Sequence, residues 1–160
     1  MNSPASLLLD LARHDERICG AYNVSTNRFI YLNAAFSSFF DATDLDFSLV
    51  QLFALVHPDD REYLKDSYGA LKSGILKNNI EFRIVLPDGN EHSFRLSLLY
   101  NDRKNKNHIL SGYLEDISAH KIHSAKLNEL TNRKNSILNI LAHDLAGPLG
   151  SVGNLATLLT

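Results

Sequence analysis

The stretch "EFRIVLPDGNEHSFRL", residues 81–96, decides the fold. Two β-rich runs flank Pro87-Asp88-Gly89-Asn90, and an Asp-Gly step between such runs is a strong short-range signal for a tight antiparallel hairpin. In the second run Phe94, Leu96 and Leu98 recur at every other position, so they share one face of a strand. The spacing predicts strands over "IEFRIVL" and "HSFRLSLLY". A third strand, "HILSGYLEDI", follows the polar loop "NDRKNKN".

Upstream, "VHPDDREYLKDSYGALKSG" carries a helix start. Pro58 suits a first helical position, Asp59 and Asp60 favour the positive end of the helix dipole, and Gly74 closes the segment. Leu64, Tyr68 and Leu71 supply its buried stripe. "AAFSSFF" and "FSLVQLFALV", broken by "DATDLD", are too short for long helices and too apolar for surface loops, so they predict helices of one or two turns pressed on a sheet. "ICGAYNVSTNRFIYLN" gives two strands, 18–24 and 28–32, in a hairpin around Thr26-Asn27. At the start, Ser3 caps and Pro4 opens a short amphipathic lid helix within residues 1–16, with Ala5, Leu8, Leu9 and Ala12 on one face.

The totals bound the function. A chain of 160 residues holds one domain of common size plus an extension, and 44% hydrophobic with 21% charged residues is ordinary globular composition. A formal net charge of -2 gives no electrostatic case for nucleic acid or an anionic membrane as partner. A lone cysteine, Cys19, excludes an internal disulfide framework and suits a reducing compartment. The Leu7-Leu8-Leu9 cluster is too short to span a bilayer and lacks the flanks of a signal peptide, so a cytoplasmic location with no membrane segment is expected. No internal repeat or low-complexity tract stands out.

The order over residues 17–118, two strands, small helices, one longer helix and three strands, resembles a PAS domain, the five-stranded antiparallel sensor fold. "LVHPDDRE", "EFRIVLPDGNEHSFRL" and the closing "GYLEDIS" carry the resemblance, with Asp116-Ile117-Ser118 standing where the family commonly ends in Asp-Ile-Thr before an output helix. The resemblance implies an α+β fold and a sensory role with an unknown ligand. Phe36, Phe39, Phe40, Phe53 and Phe82 are first of all its core.

From Ala119 no strong helix breaker appears before Gly147, and the segment 119–136 reads as a linker helix. Only Ile122, Leu127 and Leu130 are large apolar groups there, so the helix needs a partner. Over 137–160, Leu138, Leu141, Leu145, Leu149, Val152, Ala156 and Leu159 step by three and four, the seam of a bundle or coiled coil. The expected cover is the same helix of a second copy, in a homodimer. His143 lies two residues, about 200°, from both Leu141 and Leu145, so its ring faces away from that seam, with Asn139, Ala146, Gly147 and Gly150, mostly small side chains, as its outer-face neighbours. Gly147-Pro148 either ends the helix or bends a continuous one; the unbroken apolar register favours the bend.

"ILNILAHDLAGPLGSVGNL" resembles the phosphoacceptor segment of sensor histidine kinases, the first helix of their dimerisation and histidine-phosphotransfer domain. The resemblance places His143 on the phosphorylated histidine, Asp144 on the acidic residue that assists it, and Pro148 on the bending proline. It departs at Ala146, where a basic residue is usual, and at Gly147, where Thr or Asn serves dephosphorylation of the response regulator, so kinase chemistry survives the match better than phosphatase chemistry. Neutral imidazole is a competent nucleophile at cytoplasmic pH, and a carboxylate that accepts a bond from its second nitrogen fixes the tautomer. No Gly-rich loop or acidic metal cluster follows His143, so ATP and Mg²⁺ belong to the ATP-binding domain of a longer parent kinase, of which this chain is expected to be a piece.

Other residues have plainer readings. His57 before Pro58 suggests a helix cap. His120 and His123 could hold a metal by spacing, but no third ligand is evident and a solvated face is the better reading. Cys19 is expected as a small core residue, and the cysteine motif of flavin-binding PAS photosensors is absent. The three basic residues between Tyr100 and His108 read as a solvated loop. The rival from another class is a non-enzymatic module that binds a ligand and dimerises through an inert C-terminal helix.

Overall fold

The structure is a computed structural model, and it describes residues 3–42, 47–71, 77–102 and 108–158. In chain order its elements are α1 (Pro4–His14), β1 (Ile18–Asn23), β2 (Arg28–Leu32), α2 (Ala34–Phe40), α3 (Leu49–Ala54), α4 (Arg61–Leu71), β3 (Lys77–Val85), β4 (Glu91–Asp102), β5 (His108–Asp116) and α5 (Ser118–Leu158). Residues 43–46 of the "DATDLD" break, Gly74, the basic loop residues 103–107 and Leu159 lie outside the described residues. The chain divides into two units, Met1–Ser118 and Ala119–Thr160.

The Asp-Gly hairpin forms as expected. β3 and β4 run antiparallel with Phe82 opposite Phe94 and Val85 opposite Glu91. Gly89 takes φ +86°, a conformation that a β-carbon disfavours, and the Leu86 N–H donates to the Asn90 carbonyl across the turn at 2.9 Å. The sheet order is β2-β1-β5-β4-β3, every neighbour antiparallel. The first hairpin therefore sits beside the last strand, with Ile18 opposite Leu114 and Gly20 opposite Gly112. Asn27 turns that hairpin at φ +57°, and the Tyr22 hydroxyl donates to its Oδ1.

One face of the sheet carries the core. Phe36, Ile84, Phe94 and Leu71 are fully buried, with Phe82, Ile80, Val56 and Leu114 nearly so. Phe39, Phe40 and Phe53 pack partly buried against them, as the aromatic pattern suggested. A ring of this size contributes about 1.5–3 kcal/mol on burial. The short helices are held by caps: Asn33 Oδ1 accepts from Phe36 N–H to start α2, and Ser48 with Gln51 forms a reciprocal capping box on α3.

Three expectations need correction. The helix expected from Pro58 begins as a 3₁₀ turn, Pro58–Asp60, and becomes α-helical only at Arg61. The cause is a tether to β3, in which Val56 bridges Ile84 and the His57 N–H donates to the Arg83 carbonyl at 2.9 Å. α1 forms on its Ser3 cap, but it is no lid: Leu7, Leu8, Leu9 and Leu11 are all exposed. It is held at its end instead, where the buried Asn33 amide donates to the Ala12, Asp15 and Arg17 carbonyls. Cys19 is half-buried and outside the core clusters, because the inward positions of β1 are Ile18, Gly20 and Tyr22.

The sheet ends in a hydrogen-bonded node. Asp116 Oδ1 accepts from Ser118 N–H at 2.9 Å, Asp116 Oδ2 accepts from His92 Nδ1 at 2.9 Å, Ser118 Oγ accepts from Ser93 N–H at 2.9 Å, and Ile117 N–H donates to the Ser93 carbonyl at 2.8 Å. The start of β4 and the first residue of α5 are thereby joined. Desolvation pushes the Asp116 carboxyl up, but the Ser118 and His92 bonds outweigh it and hold the group below the usual carboxylate range.

Two predictions follow from this geometry. A β-carbon on Gly112 would stand 2.1 Å from the Ser97 carbonyl oxygen, so Gly112→Ala should cost about 3 kcal/mol in chemical denaturation, the upper end of overpacking penalties. Asp116→Asn should cost about 1 kcal/mol at pH 7, a figure discounted because the carboxylate is 36% exposed. A carboxyl depressed in the folded state stabilises above its unfolded pKa and loses that contribution as pH falls through its folded value. The deficit of Asp116→Asn should therefore vanish well below pH ~4.

Candidate functional site

Between the inner sheet face and the short helices lies an apolar cavity of about 130 Å³. Its floor is made where Gly20 and Gly112 face each other across β1 and β5, two positions that put no side chain on the inner face. Ile18, Tyr22, Leu110 and Leu114 flank them, and Phe36, Phe40 and Leu52 form the roof. Next to it a cleft of about 350 Å³ opens between α3, α4 and the sheet, and Leu49, Leu52, Phe82, Leu96, Leu98 and Leu110 line both spaces. Val50, Phe53, Tyr68, Asn27 and Lys65 line the cleft as well.

The cleft is braced from outside by an ion pair that spacing does not show. Asp60 accepts from Arg83 Nε at 2.9 Å, Arg83 Nη2 at 2.8 Å and the Arg83 N–H at 2.8 Å. Hydrogen bonding from Arg83 holds the Asp60 carboxyl below the usual range, against the opposing pull of burial. Asp60 thus ties the entry of α4 to β3 rather than serving the helix dipole alone. Arg61 closes the end of α3 from the same turn, donating to the Val56 and Ala54 carbonyls at 3.0 Å each. At the other side burial pushes the Tyr22 phenol up, which keeps it a donor to Asn27.

The second candidate lies on α5. The helix continues through Gly147 and Pro148 to Leu158, so the chain does not stop at that step. Pro148 lacks an N–H, which leaves the Asp144 carbonyl without its usual helical donor. The His143 side chain is 92% exposed, and its Nδ1 lies 3.8 Å from Asp144 Oδ1. That gap exceeds a hydrogen bond, so Asp144 reaches the ring only after a rotamer change. Leu138, Leu141, Leu145 and Leu149 are exposed too, along the seam read from the spacing.

The remaining sequence candidates sort by position. His57 is a cap, its Nδ1 accepting from Asp59 N–H at 3.3 Å. His120 and His123 are exposed on α5, and among the described residues no group of three metal-ligating side chains assembles. Arg83 and His92 were missed because each acts on a partner more than twenty residues away; Asn33 has a local role as the cap of α2, three residues before Phe36, that its place ahead of "AAFSSFF" could have shown, while its bonds to Ala12, Asp15, Arg17 and Cys19 are long-range. No membrane-length apolar helix occurs among the described residues.

Comparison with known proteins agrees with this architecture. The family described as "PAS fold" matches residues 29–114, more than half of the chain. No curated protein matches the sequence. Among solved structures, the N-terminal domain of a diguanylate cyclase with PAS/PAC sensor from Marinobacter aquaeolei is 18% identical with a TM-score of 0.57, over 66% of this chain and 98% of that one. A sensory box histidine kinase/response regulator from Burkholderia thailandensis E264 is 16% identical with a TM-score of 0.60, over 83% and 98%. A PAS domain from a two-component sensor histidine kinase is 12% identical with a TM-score of 0.52, over 70% and 95%. At these identities the likeness is one of fold, and together with the family match and the observed β2-β1-β5-β4-β3 sheet it establishes that the chain belongs to the PAS fold family.

Proposed function

We propose that this chain is the sensory and phosphoacceptor part of a two-component sensor histidine kinase, in which a ligand in the PAS cavity controls phosphorylation of His143. The observation that carries the reading is the imidazole of His143, 92% exposed and adjacent to Asp144, on the helix that begins at Ser118. Asp144 lies on the Nδ1 side, which leaves Nε2 to attack the γ-phosphorus of ATP. The bond to the leaving ADP breaks as the N–P bond forms, the Asp144 carboxylate stabilises the cation that develops on the ring, and the Nδ1 proton then passes to it, leaving the phosphorylated ring neutral. ATP and Mg²⁺ are supplied by an ATP-binding domain of the parent kinase, and the phosphoryl group then goes to an Asp of a response regulator.

The exposed leucine seam supports a homodimer through α5, because a row of Leu138, Leu141, Leu145 and Leu149 facing water is stable only when covered. Pro148 gives the helix a weak point one turn beyond His143, where a change in helix shape alters access to the ring. Gly147, lacking an amide or hydroxyl side chain, supports a kinase role over a phosphatase role.

Incubation of the chain with a histidine-kinase ATP-binding domain, Mg²⁺ and ATP should yield an acid-labile, base-stable phosphate. His143→Gln should abolish it, and Asp144→Asn should slow it by about 10²-fold while leaving the site labelled. Label that survives His143→Gln, or none on the unaltered chain, would leave a ligand-binding dimerisation module in place of a phosphoacceptor.

A further inference from the structure

We propose that the cleft between α3, α4 and the sheet takes an amphipathic carboxylate, an unbranched apolar chain bearing one anionic head. The inference rests on the sensory reading above and narrows it to a class of ligand. Apart from Asn27, Lys65 and Tyr68, every described side chain that lines the cleft is aliphatic or phenylalanine. A ligand with polar groups along its length would leave them unsatisfied against such walls. At about 350 Å³, and with a chain atom taking about the 30 Å³ of a liquid water, the cleft has room for on the order of ten heavy atoms.

The head group follows from the charge at the rim. Lys65 is the one ion among the described lining residues, and none of them is acidic. Its ammonium stands 5.5 Å from the centre of the Phe53 ring, so the stem lies along the apolar wall with the charge above it. A cation held over an aromatic wall at the end of an apolar cleft suits a carboxylate and repels an amine. Asn27 adds an amide donor, since its Oδ1 is occupied by the Tyr22 hydroxyl and its Nδ2 remains to donate. The smaller cavity over Gly20 and Gly112 adjoins the cleft, and Leu52 and Leu98 line both.

Decanoate, decanol and decylamine below their micelle thresholds are titrated against the full, unaltered chain by isothermal titration calorimetry, which leaves every lining residue in place. Saturable one-site binding is expected, with decanoate tighter than decanol by about two- to fivefold at low salt and decylamine weakest. Lys65→Met should bring decanoate down to the decanol level, and Lys65→Arg should restore the difference. No saturable response to decanoate, equal affinity for acid and alcohol, or a preference for the amine would overturn the proposal. The phosphate-labelling assay of His143 is read separately, so a failure of the ligand class and a failure of the kinase reading are told apart.

Discussion

The pairing of β1 with β5 is the constraint on which the PAS unit depends. It sets Ile18 against Leu114 and brings the two ends of the domain to the middle of the sheet, with the helices strung between them. Closing so long a loop is entropically slow, because nothing rewards the chain until the strands meet. Once they do, Gly20 and Gly112 lie opposite each other and let the neighbouring chains approach closely, with Leu32 and the Ser97 carbonyl filling the space where β-carbons would stand, and both glycines line the apolar cavity.

Much of the architecture was legible because its signals are local. The turn at Asp88-Gly89, the caps at Ser3 and His57 and the alternation of Phe94, Leu96 and Leu98 each depend on residues within a few positions of one another. Amphipathic spacing also showed a face on α1, but spacing says only that a face exists. Whether anything covers it is a tertiary fact, and α1 is anchored through Asn33 with its leucines in water. Cys19 went astray for a related reason: beside Gly20 the inward and outward phases of β1 look alike until Tyr22 settles them.

The polar connections were illegible in principle. Asp60 with Arg83 and His92 with Asp116 join residues 23 and 24 positions apart, and each pair meets only because the sheet order places its elements together. An aspartate after a proline reads locally as a helix-start residue, and its larger role as a brace depends on β3 arriving beside it. The residues that single out His143 are neighbours in the chain, so that candidate can be named from the sequence alone, whereas the cleft is assembled from α3, α4 and three strands and cannot.

The uninterrupted course of α5 sets the physics of any message that travels along it. His143 comes 25 residues after Ser118, which at 1.5 Å per residue is about 37 Å of helix axis. What the rod can deliver over that span is twist or thrust, and a few degrees of rotation at its root turn every side chain downstream by the same amount.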